Sequence, residues 1–155
     1  MGAGQTNKPS RSLRFMIFIA SLAIPFLLEN GFAQEVVHSP PLGDPLRQTL
    51  MNALRVPVEK ELKKRVIFKI NLLNVIGRWA FIRGVPLQPG GTPMDYRGTK
   101  YQKEIIDGIF DDQICALLHE KKGRWRVIDY RIGGTDVCFP GDFDYPKSIL
   151  YPPQK

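Results

Sequence analysis

Two histidines and 15 carboxylates set the acid–base chemistry open to this chain of 155 residues. A general acid or base must be held in a partly dry place within reach of a second polar group. Asp129 and His119 are the candidates. Asp129 falls in the run Trp125 to Ile132 (WRVIDYRI), where strict alternation puts it on the face of Trp125 and Val127. A half-buried carboxylate there is what a general acid would use, although such a group more often accepts backbone hydrogen bonds from the turn that follows. His119 ends the apolar run Gln113 to His119 (QICALLH), and an antiparallel return places it opposite Trp125. Packing on that indole is favoured over a role as base, because no Ser, Thr or acid is spaced to complete a triad.

Other chemistries are poorly supported. His38 sits in a proline-rich stretch, and no Cys-x-x-Cys or His-x-x-x-His element exists to form a zinc site. The acidic pieces Asp107 to Asp112 and Gly141 to Asp144 lack the spacing of a calcium loop, and no glycine-rich phosphate loop occurs. No metal and no cofactor are therefore expected. Cys115 and Cys138 are the only cysteines. In an oxidising compartment such a pair is expected to be bonded.

The N-terminus argues for that compartment. Lys8, Arg11 and Arg14 precede an apolar run, Phe15 to Leu28, which is followed by Gly31-Phe32-Ala33. This is the three-part pattern of a signal peptide, too short for a stable transmembrane anchor, with cleavage expected near Ala33. A periplasmic or secreted protein results. Of the net charge of +7, the first 33 residues carry three bases and one acid, which leaves +5 on the rest. Outside the cytoplasm the polyanions such a surplus attracts are lipid headgroups, lipopolysaccharide and wall polymers, not nucleic acid. The basic clusters are Lys60, Lys63, Lys64 and Arg65, and then Lys121, Lys122, Arg124 and Arg126. The second set is the candidate ligand-binding site, against the alternative of an ordinary solvated hairpin tip.

These residues need elements to hold them. Gln34 to Gly43, with its Pro-Pro pair, reads as a tether, and a single domain follows over 44–155. Asp44-Pro45 is a helix entry, and Leu46, Leu50, Leu54, Val58 and Leu62 recur every four residues to form one apolar stripe. Pro57 inside it predicts a kink near Arg55, or two short helices sharing a face. Val66, Phe68, Ile70 and Leu72 then alternate as in a half-buried strand. Gly77-Arg78 fits a type II′ turn, which predicts that Ile76 faces Trp79, Asn74 faces Phe81 and Ile70 faces Val85. Trp79, Phe81, Phe68, Ile70, Leu50 and Leu54 are thereby expected to pack together beneath the helix. Pro86 to Gly98 reads as a loop, and Thr99 to Phe110 as either a short helix or irregular chain. Gln113 to His119 and Trp125 to Ile132 supply two more strands, and the prolines after Gly133 argue against a further regular element. Gly-Arg-Trp occurs at 77–79 and 123–125, read as two hairpins sharing one turn chemistry.

The fold class is α+β: a kinked N-terminal helix on a four-stranded antiparallel sheet, an outline shared by cystatin-like and NTF2-like folds. The motifs Gly77-Arg78-Trp79-Ala80-Phe81, Ala116-Leu117-Leu118, Gly123-Arg124-Trp125-Arg126-Val127 and Thr135-Asp136-Val137 together resemble a group of small, exported bacterial proteins of uncharacterised function. The resemblance implies a bacterial, envelope-located domain and transfers no catalytic residue. The expected function is a non-enzymatic binding or accessory module for an anionic envelope component or a protein partner. The alternative is a small periplasmic enzyme that uses Asp129 with His119.

Overall fold

Asp44 opens the first helix as its side chain dictates. Its Oδ1 accepts the Leu46 N–H at 2.7 Å, and Pro45 occupies the first turn, where its missing N–H costs nothing. In the computed structural model, which describes residues 1–2, 4, 36–134, 138 and 143–153, α1 is Pro45–Leu62 and runs through Pro57 as one helix, not two. Lys63, at φ 54°, ends it in the left-handed region. The chain divides into two units, Met1–Ala33 and Gln34–Lys155. The signal-peptide reading and the Thr135-Asp136-Val137 motif lie outside the described residues.

After α1 come β1 (Ile67–Ile76), β2 (Trp79–Leu87), a short α2 (Gln102–Ile106), β3 (Ile114–Lys121) and β4 (Arg124–Ile132). The strands form one antiparallel sheet in the order β1-β2-β3-β4, and α1 packs on one of its faces. The fold is therefore α+β, as the alternation of elements predicts. Pro86 continues β2 opposite Phe68 instead of ending it. A single 3₁₀ turn, Lys147–Leu150, forms in the tail despite its prolines.

The two Gly-Arg-Trp copies do not share a turn. At the first, only Gly77 has positive φ (51°), and glycine leads, as in type II′. At the second, Lys122 (54°) and Gly123 (72°) are both left-handed, the type I′ pattern, so glycine comes second. Trp79 is thus the first residue after its turn and Trp125 the second. Consecutive strand positions face opposite ways. The two indoles accordingly join different cores.

Two bulges change which residues share a face. In β1 the register shifts between Ile70 and Leu72, so Ile70 pairs with Gly84, not with Val85. The extra residue, Asn71, reverses the alternation. Phe68 and Ile70 face the helix before it, whereas Leu73 and Val75 do so after it. Leu72 moves to the far face, and so do Trp79 and Phe81, which the uninterrupted pattern places beneath the helix. In β4 the same device acts at Ile128: Val127 pairs with Leu118 and Asp129 with Leu117.

There are consequently two cores. Leu50, Leu54, Val58 and Leu62 of α1 pack on Leu73, Ala80, Ile82, Ala116 and Leu118. The loop and α2 region add Met94, Tyr96 and Tyr101 to this cluster, with the Phe110 ring 4.7 Å from that of Tyr96. On the far face Phe81, Ile76 and Leu117 pack under Tyr145 and Ile149 of the tail. Asn74, fully buried, donates from Nδ2 to the Ile149 and Tyr151 carbonyls at 2.8 and 2.5 Å. Cys115 and Cys138 form a disulfide, with Cα atoms 5.6 Å apart, that fastens the tail to β3. His38 and Val75 exchange backbone hydrogen bonds of 2.9 and 2.8 Å, which docks the stretch before α1 on β1.

Candidate functional site

The β3–β4 hairpin collects cations by alternation. Lys121 pairs with Arg124 and His119 with Arg126, so these side chains share one face of the two strands, while Lys122 stands in the turn. The paired residues between them, Glu120 and Trp125, face the other way. Glu120 is also occupied, since its Oε1 accepts the Gly123 N–H at 2.7 Å and its Oε2 lies 3.4 Å from Arg78 Nε. Lys121, Lys122, Arg124 and Arg126 together line one recess of about 460 Å³. All four are exposed, and none makes an ion pair among the described residues.

The other basic cluster is partly neutralised. Lys64 Nζ lies 3.3 Å from Asp95 Oδ2 and also donates to the Asp95 carbonyl, and Arg65 lies 3.2 Å from Glu59. The Asp95 carboxyl is held well below its ordinary range, mainly by hydrogen bonds from the Arg97 side chain and backbone N–H, with Lys64 adding to them. Of the two clusters, the hairpin is the one whose cations make no ion pair among the described residues.

Asp129 and His119 are not where unbroken alternation places them. The Ile128 bulge puts Asp129 on the face of Leu117, opposite to that of Trp125 and Val127. His119 stands opposite Arg126, not Trp125, and its ring stacks on Trp79 of β2 with centroids 4.2 Å apart. His119 and Asp129 thus share one face of the sheet, and Asp129 also lines a groove between α1 and β4. Among the described residues, no group of three or more His, Cys, Asp or Glu side chains is arranged to hold a metal ion.

One polar cluster escapes a reading of the sequence. Glu61, near the end of α1, accepts hydrogen bonds from the Tyr101 and Tyr130 hydroxyls and lies 3.0 Å from Lys100 Nζ. Burial by itself raises the Glu61 carboxyl. The two hydroxyls and Lys100 outweigh it and leave the group below its ordinary value. Burial, and next the bond to Glu61, push both tyrosines well above theirs. The cluster therefore holds two neutral phenols and one carboxylate, fixed as donors and acceptor. The cluster is a clasp joining α1, the loop before α2, and β4, since the Glu61 carboxylate is held by groups from all three. The partners lie 40 and 69 residues from Glu61. The only sequence signal was the general need of a half-buried tyrosine hydroxyl for a partner.

Comparison with protein-family models, with curated proteins and with solved structures gives no match to this chain.

Proposed function

We propose that this protein is an exported, non-enzymatic binding module that holds a phosphate-bearing polyanion of a bacterial envelope on the β3–β4 hairpin. The observation that carries the reading is the recess of Lys121, Lys122, Arg124 and Arg126, four cations on one hairpin without an ion-pair partner among the described residues. Two of them are arginines, whose planar fork matches a phosphate or carboxylate group in bidentate fashion. Export is supported by the three-part N-terminus and by the Cys115–Cys138 disulfide. Cleavage near Ala33 then releases a periplasmic or secreted domain.

Co-sedimentation tests this reading, with an envelope fraction, with vesicles of anionic phospholipid and with purified lipopolysaccharide as separate arms. Binding in at least one arm should weaken as salt is raised past about 0.1 M, where exposed charges are screened beyond ~10 Å. The combined variant Lys121→Glu, Lys122→Glu and Arg124→Glu should lose it while unfolding normally, because exposed charges add little to stability. Equal sedimentation of the variant and the parent would end the proposal. The arm that responds identifies the source of the anion.

A further inference from the structure

Tyr96 carries a polar atom that the fold leaves unused. The residue is 6% exposed, and its hydroxyl, shut away from water, has no hydrogen-bond partner among the described residues. Buried hydroxyls are nearly always paired, since an unpaired one bears the cost of leaving water with no bond in return. Tyr96 forms part of the wall of a recess of about 440 Å³, in which Met94, Ile105, Ile106 and Phe110 supply the apolar surface. Ile105 and Ile106, 42% and 75% exposed, belong to α2, a short helix with no buried side chain and no side-chain cap, so this wall can yield to an entering molecule. A recess of this size, mainly apolar with a few polar groups, is the usual form of a small-molecule site.

The polar groups around the recess say what such a molecule must carry. Arg97 and Asp95 neutralise each other through an ion pair of 2.9 Å, and Gln102 Oε1 is taken by the Gly98 N–H. Asp112 is exposed and makes no ion pair among the described residues, so it is the lining charge left to a ligand. Burial, and next the charge of Asp112, hold the Tyr96 phenol well above its ordinary range, which keeps it a neutral donor. We propose that this recess binds a small, mainly apolar primary amine that also bears an acceptor oxygen. The ammonium group meets Asp112, the oxygen accepts from the Tyr96 hydroxyl, and the apolar body lies against Met94, Ile106 and Phe110. An anion fits less well, because Arg97, the cation in the wall, is already engaged by Asp95. None of these residues belongs to the β3–β4 hairpin, so the proposal stands apart from the envelope-anion reading.

Calorimetric titration of the oxidised protein tests it with phenylalaninamide and two truncated probes, phenylpropanamide, which lacks the amine, and phenethylamine, which lacks the carbonyl. Phenylalaninamide should bind at least fivefold tighter than either. Tyr96→Phe should weaken it at least fivefold and leave phenethylamine unchanged. Asp112→Asn should weaken it as much and leave phenylpropanamide unchanged, and because Asp112 is exposed this variant folds whatever Tyr96→Phe does. Without ligand, Tyr96→Phe should melt at or above the temperature of the parent, since it removes an unpaired buried hydroxyl. A melting temperature several degrees lower would show that the hydroxyl is already paired, and would overturn the proposal. No saturable binding of phenylalaninamide, equal binding of the three probes, or unchanged binding in either variant would overturn it as well.

Discussion

Replacing Phe81 by Ala tests the two-core arrangement at its most informative point. The ring is 2% exposed and belongs to the far-face cluster with Ile76, Leu117, Tyr145 and Ile149. Removing roughly 150 Å² of buried ring at ~25 cal/mol per Å² predicts a loss of about 4 kcal/mol, within the ~3–5 kcal/mol typical of buried Phe→Ala changes. The size alone does not say which face the ring occupies, so the test is a pair of double-mutant cycles read by equilibrium urea unfolding. Phe81→Ala with Ile149→Ala should be non-additive by about 0.5–3 kcal/mol, because both side chains line one cluster. Phe81→Ala with Leu54→Ala should add to within about 0.5 kcal/mol, since Leu54 lies in the other core across the sheet. Stronger coupling to Leu54 than to Ile149 would return Phe81 to the helix side and refute the bulge at Asn71 as the origin of the face reversal.

Removing the disulfide as Cys115→Ser with Cys138→Ser, which opens a loop spanning 23 residues, should cost about 3 kcal/mol in the chain-entropy account; an unchanged urea midpoint would contradict the tail's anchoring. Gly84→Ala should destabilise strongly, because an added Cβ would collide with the Lys69 carbonyl oxygen at the bulge, and a normal melting temperature would mean β1 and β2 are further apart there. Glu61→Gln should lose about 1.5–3 kcal/mol by urea unfolding, the usual worth of a hydrogen bond to a charged group. The pH dependence follows from the same clasp. Glu61 titrates below its ordinary 4.5 in the folded protein, so its contribution is present above that pH and is lost as pH falls through the lower folded value. Tyr101 and Tyr130 titrate above their ordinary 10.0, so the unfolded chain ionises first and stability declines as pH rises past that point. Melting temperatures across pH should show both limbs, and Glu61→Gln should flatten the acid one relative to the parent; an identical acid limb would remove Glu61 from it.

Much of the architecture was legible because periodicity and turn chemistry agree. Leucines every fourth residue and the Asp44-Pro45 entry define α1, and Gly77 and Gly123 place two hairpins whose strands alternate as a sheet requires. The cation cluster was legible for the same reason, since a two-residue turn determines which side chains stand across from each other. What failed was the face assignment, and two residues account for it. Asn71 and Ile128 each insert one residue into a period of two, and neither announces itself by type. Gly84 was the one available trace, a strand glycine opposite a close backbone approach. The first bulge turns Leu72, Trp79 and Phe81, and the second turns Asp129, to the face of the sheet away from α1, which His119 also occupies. The Glu61 clasp was hidden by distance along the chain, since no local pattern links a helix end to tyrosines 40 and 69 residues away.

The hairpin's claim to be the anion site is most directly tested by where a soluble polyanion touches the protein. Isotope-labelled protein titrated with a short inorganic polyphosphate, followed by amide and arginine Nε–H resonances, reports both clusters of basic residues at once. The account predicts the largest shifts at Lys121, Lys122, Arg124 and Arg126, fading with added salt, and little change at Lys64 and Arg65, whose charges Asp95 and Glu59 already engage. Shifts centred on Lys60 to Arg65, or spread evenly over every basic residue, would contradict it.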